Sequence, residues 1–151
     1  MFIAYGGKYG EIVAPFVAKC LRKHGMIPRI AFPGAVGEIQ FNNQEQIFRE
    51  EGRCDAVVAV STSGSRQCLK FRDEVHKARY DFILPVVAFI QYRSRYLDLL
   101  STGVTRVTFD LSQYWRKCDK LAFRVRRDIL SSRPARYGRL EKRVARRVLY
   151  G

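Results

Sequence analysis

Residues Cys54 to Thr62 read CDAVVAVST, an apolar run with Val57, Val58 and Val60 at its heart and a pair of hydroxyl residues at its end. The run is too short for a helix. It does not alternate apolar with polar, as a half-exposed strand would. A short, continuous, β-branched run fits a strand covered on both faces, the situation of a strand inside a parallel sheet.

Helical patterns flank it. Upstream, IQFNNQEQIFREEGR predicts a polar helix with Ile47 and Phe48 turned inward. Downstream, SGSRQCLKFRDEVHKARY predicts a helix with Ser63 and Ser65 as capping candidates. Further out, MFIAY is a first strand running into GGKYG, followed by the helix EIVAPFVAKCLRKHG, with Gly25 as its stop. MIPRIAF reads as a second strand and PGAVGE as a loop. FILPVVAFI reads as a fourth strand, QYRSRYLDLLS as a short crossover, and VTRVTFD as a fifth strand with Val104, Val107 and Phe109 apolar. LSQYWRKCDKLAFRVRRDILSS is a long final helix. Strands and helices thus alternate, which implies right-handed βαβ crossovers and helices on both faces of the sheet. The expected fold is α/β: a flavodoxin-like three-layer sandwich around a five-stranded parallel sheet. It spans 1–132 and is followed by a basic helical tail over 133–151.

With 151 residues, 47% of them hydrophobic, the chain is long enough to bury one core, and its composition is that of a globular protein. The start lacks the pattern of a signal peptide. FILPVVAFI is too short, and interrupted by Pro85, to span a bilayer. A soluble, cytoplasmic protein without a membrane partner is expected. Cys20, Cys54, Cys68 and Cys118 are widely spaced, with only His24 and His76 for company, so linear spacing makes no case for a metal site. The net charge of +14 is uneven, with +10 of it lying from Trp115 onward. In the tail, Arg133, Arg136, Arg139, Arg143, Arg146 and Arg147 surround Leu140, Val144 and Val148. That pattern fits a solvated amphipathic helix, a dimer contact, or a surface for nucleic-acid phosphates.

In an open parallel sheet, ligands bind beyond the carboxyl ends of the strands. The loops YGGKYGE, FPGAVGE, STSGSRQ and FIQYRSRY leave such ends, and their small residues and cations suit an anionic, nucleotide-like ligand. No dinucleotide or P-loop fingerprint is present. Gly6, Gly7 and Gly10 serve either a tight turn or the close approach of a ligand. Ser61, Ser63 and Ser65 offer hydroxyls to a phosphate or cap the helix. Phe32-Pro33-Gly34 reads first as turn chemistry at the ligand edge. Within FRDEVHKARY, Phe71, Val75 and Ala78 form an apolar stripe; Glu74 borders it, while Arg72 and Asp73 point outward. Glu74 is therefore either a partly desolvated carboxyl suited to nucleophilic or general-base work, or a surface acid paired with Lys70 or Lys77.

Several of these segments, in order, resemble the TIR (Toll/interleukin-1 receptor) domain and its prokaryotic TIR-like relatives. MFIAYGGKYGEIVAPFVAKCLRKHG is similar to the first box of that family. RIAFPG is similar to the second box with its Pro-Gly tip, CDAVVAVSTSGSRQCLKFRDEVHKA to the strand and glutamate-bearing helix, and ILPVVAF to the next strand. The resemblance covers about residues 1 to 130. It implies a domain that assembles with copies of itself. It also implies, for the enzymatic members, cleavage of the bond between nicotinamide and ribose in NAD as substrate, with no cofactor required. Glu74 matches the catalytic position. Tyr5, Gly6, Gly7 and Lys8, together with the stretch Phe32 to Gly34, would line the nucleotide site. The family also contains non-enzymatic interaction modules. A glutamate on a flavodoxin-like sheet is used too by the nucleoside deoxyribosyltransferases.

Overall fold

The computed structural model describes residues 1–30, 44–92 and 104–132. Five strands form one sheet: β1 (Phe2–Tyr5), β2 (Arg29–Ile30), β3 (Val57–Ser61), β4 (Val86–Gln91) and β5 (Thr105–Phe109), in the order β2-β1-β3-β4-β5. Every pairing is parallel. The register sets Ile3 beside Val58, Ala59 beside Ala88 and Phe89 beside Val107. The chain runs from β1 outward to β2, then returns across β1 to β3, so the order reverses between the two central strands β1 and β3.

Helices cover both faces, and side-chain alternation along the strands divides the core into two layers. On one face Ile3, Val58, Val60, Val87, Phe89, Val107 and Phe109 meet Val13, Val17 and Leu21 of α1 (Gly7–Lys23). Leu121, Ala122 and Val125 of α4 (118–132) complete that layer. Phe89 and Phe109 stack there with centroids 4.2 Å apart. On the other face Phe2, Ala4, Val57, Ala59, Val86, Ala88 and Ile90 meet Ile47 of α2 (Gln44–Gly52) and Phe71 and Val75 of α3 (Leu69–His76). This is the flavodoxin-like three-layer architecture expected, and β3 is fully buried along its length as its composition requires.

The helix ends depart from expectation. The segment after β3 opens with a 3-10 turn, Ser65–Gln67, before α3 begins at Leu69, and neither turn nor helix has a side-chain cap. α3 closes into a π-helical turn, Lys77–Asp81, beyond which Ile83 takes φ 54°. A β-branched residue rarely adopts that conformation. The final helix is likewise preceded by 3-10 turns over Leu111–Lys117, started by the Asp110 carboxylate accepting from the Ser112 backbone N–H at 2.9 Å. Most of the loop after β2, the QYRSRYLDLLS crossover and the basic tail lie outside the described residues. Among the described residues no helix is long and apolar enough to cross a membrane.

Candidate functional site

The carboxyl ends of β1 and β3 are neighbours, and the loops leaving them are bolted together. The Ser65 hydroxyl donates to the Gly6 carbonyl at 2.9 Å and accepts from the Thr62 N–H at 2.8 Å. The Thr62 hydroxyl reaches the same Gly6 carbonyl at 3.4 Å. Ser65 thus spends its hydroxyl across the strands instead of capping α3. Ser63 is exposed, and its N–H donates to the Gln91 side chain at 3.1 Å, tying in the end of β4.

The same packing explains two of the glycines. Gly7 has φ 79°, and a Cβ there would meet the Gly64 backbone carbon at 2.8 Å. A Cβ on Gly6 would meet the Cβ atoms of Cys68 at 2.7 Å and Phe71 at 2.8 Å. Both are required by one loop approaching the other. Gly64, not singled out from the sequence, is the backbone partner of Gly7 in this contact. α1 begins at this turn with no side-chain cap and no acid in its first turn, leaving its first N–H groups directed to the site with the exposed Lys8 beside them and the half-buried Tyr5 just before the turn. The structure therefore brings Tyr5, Gly6, Gly7, Lys8, Ser61, Ser63 and Ser65 to one edge. Phe32 and Gly34 lie outside the described residues.

Glu74 lies five residues into α3, about 7.5 Å along its axis from the helix start. It is 2% exposed, which excludes the surface acid paired with a lysine; Lys77 instead pairs with Asp81 at 3.2 Å and sits over the Phe48 ring. One Glu74 oxygen, Oε1, is buried without a hydrogen-bond partner among the described residues. Burial pushes its carboxyl up to about 8, opposed by Lys70 and reinforced by Asp73.

A second acid, which the sequence reading missed, shares this face. Glu51 in the last turn of α2 is fully buried, and neither oxygen has a partner among the described residues. Burial pushes it up to about 9, the nearby Glu74 carboxyl adds to the rise, and Lys77 opposes it. Its sequence signal was the i, i+4 spacing from the inward Ile47, outweighed by the polar company of Arg49, Glu50 and Arg53. The Ser61 hydroxyl is also buried and unpartnered, and the alternation of Val57 and Ala59 puts it on the same face. Ser61, Glu74 and Glu51 thus line one layer of the sandwich, and among the described residues each lacks a partner for at least one polar atom. Buried polar groups are ordinarily satisfied, so such a concentration marks this layer out.

Fold and loops together define a flavodoxin-like α/β domain with its candidate ligand site at the point where strand order reverses. No family model matches the chain, and no curated protein matches it. Among solved structures it is similar to the NanR protein of Vibrio vulnificus complexed with ManNAc-6P, at 17% identity and a TM-score of 0.55. The match covers 95% of this chain and 55% of that one, so the chain spans about half the length of this neighbour; the likeness is one of fold.

Proposed function

We propose that the chain binds a nucleotide-like ligand beside the β1 and β3 ends and cleaves the N-glycosidic bond of NAD, with Glu74 as the catalytic residue. The observation that carries this reading is the Glu74 carboxyl itself: 2% exposed, with Oε1 unpartnered, on the helix whose leading loop is bonded to the β1–α1 turn. The resemblance to TIR-like domains supports the choice of substrate.

In the free protein Glu74 is largely neutral at pH 7. The positive charge of the nicotinamide-ribose end favours its ionised form, so substrate binding places a carboxylate beside the sugar. The C–N bond breaks with its electron pair passing to the nicotinamide nitrogen. The carboxylate stabilises the oxocarbenium ion or adds to it as an ester. Water then supplies hydroxide to the ribose carbon, one proton leaves, and the products are nicotinamide and ADP-ribose. Gly7 to Gly10 of α1, with Lys8, meet the pyrophosphate through N–H groups and charge.

The test is nicotinamide release from NAD by the purified full chain. The isosteric Glu74→Gln is expected to lower turnover by about 10²-fold or more. For the wild type, kcat/KM should climb as pH rises through about 8, where the free carboxyl ionises. Turnover that survives Glu74→Gln sinks the assignment.

A second reading, binding of a sugar phosphate without cleavage, draws on the hydroxyl-rich loop Ser61–Ser65 and on the phosphorylated sugar carried by the NanR neighbour. An inactive chain that binds such a phosphate, with affinity lost in Lys8→Ala, would favour it.

A further inference from the structure

On the sheet face opposite Glu74, α1 and α4 meet at a cluster of side chains that the widely spaced cysteines did not foretell. Cys20 Sγ, a His24 ring nitrogen and an Asp119 carboxylate oxygen all lie within 4.8 Å of one another. His24 Nε2 and Asp119 Oδ1 are 2.8 Å apart. Cys118 neighbours Cys20 just outside that group, its thiol directed to the Tyr114 carbonyl at 4.0 Å. Local structure explains the convergence. Cys20 in the last turn of α1 and His24, its C-cap, stand at i, i+4, the His24 N–H donating to the Cys20 carbonyl at 3.3 Å, and so share one face. Cys118 and Asp119 are consecutive at the start of α4, which packs on that face through Leu121 and Ala122.

We propose that Cys20, Cys118, His24 and Asp119 bind a Zn²⁺ ion that clamps α1 to α4. Two thiols, an imidazole and a carboxylate are the borderline-soft, four-ligand set that tetrahedral zinc prefers. The site has a dry floor and an open mouth: the two thiols are buried, while the His24 and Asp119 side chains are 35% and 92% exposed, so an ion enters from solvent. The His24–Asp119 ion pair alone would account for two of these groups. It gives no reason for two free thiols to lie beside it.

The test is a Co²⁺ titration of the reduced, full-length chain, followed by displacement with Zn²⁺. One equivalent is expected to produce a thiolate-to-cobalt charge-transfer band and the visible bands of a tetrahedral centre, both erased by zinc. Cys118→Ser and His24→Ala should each weaken binding by about 10-fold or more, whereas Cys54→Ala, a core cysteine outside the cluster, should not. Zinc should raise the melting temperature of the wild type and leave that of His24→Ala unmoved. Because His24 is partly exposed, its variant keeps the test decisive even if Cys118→Ser fails to fold. A reduced wild type without the charge-transfer band, or a band that survives both ligand variants, overturns the proposal.

Discussion

Glu51 and Glu74 are both neutral at physiological pH in the folded chain, since burial holds them near 9 and 8 against an ordinary value of 4.5. Between those limits the folded state carries protons that the unfolded state has lost. Stability contributed here is therefore greatest below pH 4.5 and falls as pH rises towards 8 and 9, at up to about 1.4 kcal/mol per unit for each group. Glu51→Gln, which cannot ionise, is expected to raise stability at pH 8 by about 1–2 kcal/mol and to flatten the pH dependence in urea melts. Gly7→Ala should act in the opposite sense. A Cβ at φ 79°, 2.8 Å from the Gly64 backbone, should cost about 2 kcal/mol or more in the same assay. Glu74 was legible in sequence as an acid bordering the Phe71–Val75–Ala78 stripe. The glycines were legible only as turn-formers, because the partner that demands them is more than fifty residues away.

Elements were easier to read in their middles than at their ends. β3 and β4 announce themselves as unbroken apolar runs because both faces are covered. The start of α3 did not, since a serine before a helix looks the same whether its hydroxyl caps that helix or reaches another strand. Ser65 does the latter, and Ser65→Ala should cost about 1–3 kcal/mol by leaving the buried Thr62 N–H without its acceptor. The variant should also weaken ligand binding, since the two loops would separate; denaturation and nucleotide titration on one preparation would show both. On the opposite face, α4 rests on Leu121, which is fully buried against the sheet. Leu121→Ala should cost about 2–5 kcal/mol, read as a lower denaturation midpoint.

At the scale of the molecule, charge and topology set the behaviour. Residues 133–151 carry seven Lys+Arg and one Glu, a net +6 of the total +14. A chain cut after Ser132 should bind duplex nucleic acid with a distinctly shallower salt dependence than the full chain, measured as log affinity against log salt. Equal slopes would remove the tail from any role with nucleic acid. The sheet's connectivity has a different consequence. No two paired strands are joined by a hairpin; β1–β2 and β3–β4 are closed by crossovers carrying a helix, and β1–β3 by a still longer detour. During refolding, then, no strand finds its mate locally, and the entropy of closing each long loop falls before the reward of pairing arrives. Over that interval the largely apolar β3 and β4 stand unpaired, two adhesive segments in search of a partner. Crowding of nascent chains, more than heat on finished ones, is the hazard this architecture carries.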